Sequence, residues 1–120
     1  MQHVIKATHK LKRADLVSLL CSAFESNGAG YWCEVTGSNK KGKTAIALVP
    51  LLKGGELYLK DIESDRGTRY VLDYKTMIRG LEVMASREPR TFADILTDDG
   101  DMTTGDVFVQ CALFGKVKYS

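Results

Sequence analysis

The chain has 120 residues, 44% hydrophobic and 27% charged, which is enough to bury one core without covalent staples and fits an ordinary globular domain. No apolar run approaches the roughly 18 residues needed to span a bilayer, and a formal net charge of +2 is too small to announce a nucleic-acid partner by itself. Three cysteines, Cys21, Cys33 and Cys111, make no C-x-x-C pair, so neither a disulfide framework nor a zinc site is expected and the thiols read as free in a reducing cytosol.

Residues 1–12 form a basic N-terminal segment. His3, Lys6, His9, Lys10, Lys12 and Arg13 all precede the first acid, Asp15, and no apolar stretch of signal-peptide type accompanies them. Alternation from Val4 to Leu11 predicts an edge strand or an arm. Leu16, Leu19, Leu20, Ala23 and Phe24 then follow one helical stripe, with Asp15 in its first turn and Asn27-Gly28 as its stop. Tyr31 to Thr36 is strand-like.

Gly37 to Thr44 reads G-S-N-K-K-G-K-T, the pattern of a phosphate-binding loop. Such a loop needs a buried parallel strand before it and a long helix after it. Here Ala45-Ile46-Ala47-Leu48-Val49 runs into Pro50, which permits a short helical turn or, more naturally, a buried strand. The match is therefore read as a lysine-rich turn between antiparallel strands.

Glu56–Ile62 and Thr68–Leu72 predict a hairpin turning at Ser64-Asp65-Arg66-Gly67. Leu57 and Leu59 face Tyr70 and Leu72, leaving Tyr58, Lys60, Arg69 and Val71 on the opposite face. Asp73 caps a helix whose stripe is Tyr74, Met77, Ile78, Leu81, Met84 and Ala85, ending before Pro89. Thr91 to Asp94 resembles a capping box for a short third helix. After an acidic loop, Thr103 or Thr104 caps a last helix that Gly115 stops, and Lys116–Tyr119 runs back as a terminal strand. The grouping of elements predicts a single α+β domain over 1–120, with a mainly antiparallel sheet and three to four helices.

Catalytic chemistry finds little to work with. His3 and His9 are the only histidines, the cysteines lie on or beside apolar stripes, and Asp98-Asp99-Gly100-Asp101 lacks the spacing of a calcium loop. No catalytic residue, metal or cofactor is expected. The candidate ligand-binding residues are Tyr31 and Trp32, for stacking on a base, with Lys40, Lys41, Lys43, Arg66 and Arg69 for phosphate. For Trp32 the alternative is a core role, the common fate of tryptophan.

Tyr31-Trp32-Cys33 and Asp106 through Tyr119 (D-V-F-V-Q-C-A-L-F-G-K-V-K-Y) together resemble a family of small, largely uncharacterised proteins of tailed phages and prophages. Those proteins carry a Y-W-C-like segment and end in Q-x-A-L-F-G-x-V-x-Y. The resemblance runs from Leu16 onward and leaves out the basic N-terminal segment and the lysine loop. It implies an accessory anti-defence protein of the host cytoplasm, similar in size and class to sponges that sequester a nucleotide signal. The expected partner is thus an anionic, nucleotide-like small molecule, bound without catalysis by a homo-oligomer. The alternative is an inhibitor module that binds a host protein or nucleic acid through the basic N-terminal segment. A nucleoside triphosphatase using Lys43 and Thr44 is a third reading. No membrane partner is expected.

Overall fold

The computed structural model describes residues 8–42 and 44–120; the expected strand at Val4–Leu11 falls partly outside them, and Lys43 wholly so. Residues 8–12 have no regular secondary structure. Helix α1 (Arg13–Leu20) runs on through one π-helical turn, Cys21–Glu25. Asp15 steadies its start by accepting the Lys12 N–H at 2.8 Å. Leu16, Leu19, Leu20 and Ala23 are buried, and Asn27 closes the segment with φ 65°.

Strands β1 (Cys33–Ser38), β2 (Leu57–Asp61) and β3 (Arg69–Leu72) form an antiparallel sheet in the order β1-β2-β3. An irregularity between Val35 and Gly37 shifts the β1–β2 register. Alternation divides the two faces as the sequence predicts: Leu57, Leu59 and Leu72 are buried, whereas Tyr58, Lys60, Arg69 and Val71 face away from the core. The segment after the lysine loop is no strand. Ile46–Leu51 is a 3-10 helix that buries Ala47, Val49 and Pro50, because Pro50 has no N–H to offer a sheet ladder.

Helices α2 (Tyr74–Arg87), α3 (Pro89–Leu96) and α4 (Met102–Phe114) complete an α+β fold. Asp73 caps α2 by accepting the Thr76 N–H at 2.8 Å. Tyr74 departs from the expected stripe and is 54% exposed, since it sits at the very start of α2 while α4 crosses that helix at Gly80. A Cβ at Gly80 would lie 2.6 Å from the Cβ of Ala112, so only glycine allows this crossing. Glycine in a helix interior costs about 1 kcal/mol relative to alanine, which the closer packing must offset.

Two caps differ from expectation. Pro89 opens α3 as well as ending α2, so Thr91 lies inside the first turn and caps nothing. Asp101, not a threonine, caps α4: its carboxylate accepts the Thr104 N–H, and Thr104 Oγ1 accepts the Asp101 N–H, both at 3.1 Å. From Thr104 to Ala112 only Val107 escapes full burial, which makes α4 the central helix of the core. Gly115 ends it with φ 73°. Residues 116–120 form no strand, because their main-chain groups turn to a side chain instead.

Candidate ligand-binding face

Trp32, expected to stack on a base, is 0% exposed. Its Nε1–H donates to Asp106 Oδ1 at 2.7 Å, and its ring packs against those of Phe114 and Tyr119 at 5.1 and 5.6 Å. No face of the indole is left for a ligand, so Trp32 takes the core role. Tyr31 is 44% exposed, but its hydroxyl donates to Asp106 Oδ2 at 2.6 Å. Desolvation, then the Asp106 carboxylate, pushes that phenol up to about 12.

The cations are divided between the two ends of the sheet. Lys40 and Lys41 are exposed just beyond Ser38, which pairs with Leu57 at one end of β2. Asn39 ties this loop down by donating to the Gly54 carbonyl at 2.9 Å and accepting the Glu56 N–H at 2.7 Å. Arg66 lies in the hairpin turn, and Arg69 pairs with Lys60, both toward the Asp61 end. Four residue steps separate Leu57 from Asp61, roughly 13 Å of strand. Lys40 and Lys41 therefore stand at the opposite end of β2 from Arg66 and Arg69. The loop also lacks the setting of a phosphate-binding loop, since β1 is an edge strand of an antiparallel sheet and one 3-10 helix follows.

Tyr31-Trp32 and the stretch from Asp106 to Tyr119 meet in a buried polar network. Asp106 accepts from Trp32, from Tyr31 and, at 3.0 Å, from Gln110 Nε2. Gln110 Oε1 accepts the Lys118 and Tyr119 N–H groups at 2.7 and 2.8 Å. The Tyr119 hydroxyl donates at 2.8 Å to Asp61, whose other oxygen accepts the Glu63 and Ser64 N–H groups. Every one of these buried polar side chains has a partner, as low-dielectric burial requires. Sequence reasoning gave Asp61, Asp106 and Gln110 no structural role; an acid and an amide spaced i, i+4 on an otherwise apolar helix was the available signal.

The same burial quiets the thiols. Desolvation, with Asp61 and Asp106 nearby, pushes Cys33 up to about 12, and desolvation takes Cys111 to about 11. Both stay protonated and unreactive near neutral pH. No group of three His, Cys, Asp or Glu side chains is arranged to hold a metal among the described residues. Asp15, Asp94, Asp98 and Asp101 line a small cleft of about 30 Å³ between helices.

Among the described residues, the outer face of the sheet is the more exposed one, with Glu34, Arg69 and Val71 exposed. Glu34, Lys60 and Arg69 stand in one cross-strand row, with Tyr58 and Val71 in the next. Lys60 lays its stem over Gly67, where a Cβ would come within 2.6 Å of Lys60 Cε. The Tyr58 hydroxyl donates to Glu56 at 3.2 Å, which orients the ring. Among the described residues, Lys60, Arg66 and Arg69 make no ion pair, the one pair found being Lys118 with Asp61 at 3.9 Å. No helix of the described chain is long and apolar enough to cross a membrane. No family model, curated protein or solved structure matches this chain.

Proposed function

We propose that this protein is a non-catalytic binder of an anionic, base-bearing ligand, held on the outer face of the sheet. Tyr58 supplies the stacking surface, and Lys60, Arg69 and Arg66 supply phosphate contacts. The observation that carries this reading is the register: an aromatic ring and two cations that make no ion pair among the described residues occupy adjacent cross-strand rows of the sheet's outer face. Stacking on an aromatic side chain is tolerant of base identity and contributes about 1–3 kcal/mol per base. Arginine adds a planar fork suited to phosphate. The resemblance to small phage proteins agrees with capture of a nucleotide-derived signal in the host cytoplasm as an anti-defence measure.

A nucleotide and a short single strand share this chemistry, and the test separates them. Thermal unfolding is followed against cyclic di- and trinucleotides in one arm and single-stranded oligonucleotides in the other. A ligand at a thousandfold over its Kd stabilises by about 4 kcal/mol, a rise of several degrees or more for this size of domain. Tyr58→Ala is expected to weaken binding about 5- to 150-fold. Arg69→Ala should reduce the salt dependence of oligonucleotide binding by about one unit of slope. A ligand whose affinity ignored both substitutions would refute this face as the site.

A further inference from the structure

The outer face of the sheet carries one group that would repel an anion. Glu34 stands opposite Lys60 in the register, in the row that also holds Arg69. Opposite charges that face each other across two strands ordinarily attract and pair. Here they do not: Glu34 is exposed and makes no ion pair among the described residues. Lys60 is directed the other way, toward the hairpin turn, where its Cε and Nζ lie 2.6 and 3.5 Å from the place a Cβ on Gly67 would occupy. The other acid beside Tyr58 is occupied, since Glu56 accepts from the Tyr58 hydroxyl at 3.2 Å and from Asn39 at 3.5 Å. Glu34 therefore presents acceptor oxygens and no donor to whatever lies on this face.

A ligand stacked on Tyr58 comes within reach of that carboxylate. Glu34 is one strand and two residues away from Tyr58, a diagonal of about 7–8 Å that long side chains bridge. The Tyr58 ring also lies over β1, the strand that carries Glu34. Its Cδ2 is 3.9 Å from where a Cβ on Gly37 would stand, and Gly37 is the β1 partner of Tyr58.

Resting on the reading of this face as a nucleotide binder, we propose that Glu34 makes it selective for guanine. Guanine alone among the bases presents two adjacent donors, N1–H and the N2 amino group, on the edge left free when its ring is stacked. A carboxylate accepts both, in the two-pronged geometry it uses with arginine. Adenine turns an unprotonated N1 toward the same oxygens, and two acceptors repel. Cytosine and uracil each set a single donor beside acceptors. Lys60, Arg66 and Arg69 remain for phosphate.

Isothermal titration of the whole chain with cyclic di-GMP and cyclic di-AMP, and with linear pGpG and pApA, compares ligands that differ only in the base within each pair. A well-placed bidentate contact discriminates between bases by about 5- to 150-fold, and the guanine ligand should bind more tightly by that factor. Glu34→Gln should abolish the preference, because the amide turns a donor toward guanine and can pair with adenine by donating and accepting at once. Glu34 is exposed, so this substitution should leave the fold intact. Tighter binding of all four ligands by one common factor in Glu34→Gln would mean that the carboxylate acts through its charge alone, and would overturn its role in base choice. Equal affinity for guanine and adenine in the parent chain would overturn it as well; a loss of both in Tyr58→Ala would then still uphold the binding face. Binding of none of the four at millimolar concentration would overturn the face as a nucleotide site, and the guanine preference with it.

Discussion

Lys60 and Asp61 are consecutive residues of β2 with opposite fates. Lys60 points to the outer face of the sheet, half-buried with its stem over Gly67; Asp61 points to the core, 1% exposed, where both its oxygens are occupied. The period of two in a strand makes this division unavoidable, since each step crosses the sheet. What the contrast teaches is where charge is spent. On the buried side every polar group has a fixed partner, so charge there specifies one arrangement of chain. On the outer side, Lys60 and Arg69 make no ion pair among the described residues.

The buried side should therefore fail heavily when touched. Asp106→Ala strips the acceptor from Trp32, Tyr31 and Gln110 together, and a loss of about 3 kcal/mol or more in urea unfolding is expected. A loss below about 1 kcal/mol would mean the network is ornamental. Tyr119→Phe keeps the ring against Trp32 but removes the hydroxyl from Asp61, and should cost about 1–2 kcal/mol. Tyr31 adds an alkaline signature. Its folded-state phenol is raised from 10.0 to about 12, so its contribution is complete below pH 10 and is lost as pH rises through about 12. Tyr31→Phe should remove that part of the alkaline slope, read as the unfolding midpoint against pH.

Between the two sides lies Asp73, which ends β3 and caps α2. Hydrogen bonds from Thr76 lower its carboxyl below the ordinary 3.8, so the cap's contribution is present above that value and fades as pH falls through the lowered one. Asp73→Ala should cost about 1 kcal/mol at neutral pH and progressively less in acid. The smallest effect is expected on the outer face. Lys60→Ala with Arg69→Ala should leave stability within about 0.5 kcal/mol of the parent. A large destabilisation there would erase the distinction between the two sides and with it the case for a binding face.

Much of the fold was legible because it depends on short-range patterns. The hairpin register, the Asp73 cap and the Gly115 stop each follow from alternation or from one residue's local preference. The elements that departed from expectation were decided by contacts beyond a few residues. Residues 45–49 read more naturally as a strand than as a helical turn, yet Ile46–Leu51 is a 3-10 helix, and Lys116–Tyr119 lost its strand to the Gln110 amide. The expected site fared in the same way. The alternation already put Lys60 and Arg69 beside Tyr58 on one face, but nothing local states that the helices would pack on the opposite one.

From the sequence alone came the α+β class, the antiparallel hairpin and the side of it that each residue faces, because strand and helix periods are properties of the chain itself. The tertiary structure alone decided that Trp32 is buried beneath Phe114 and Tyr119, that Lys40 and Lys41 lie at the opposite end of the sheet from the arginines, and that Asp61 and Gln110, the latter held by Asp106, bind residues 118–119 to the core. The physical reason is that a buried polar group is stable only beside its partner. Those partners are as many as 75 positions away, a distance over which no periodicity reports.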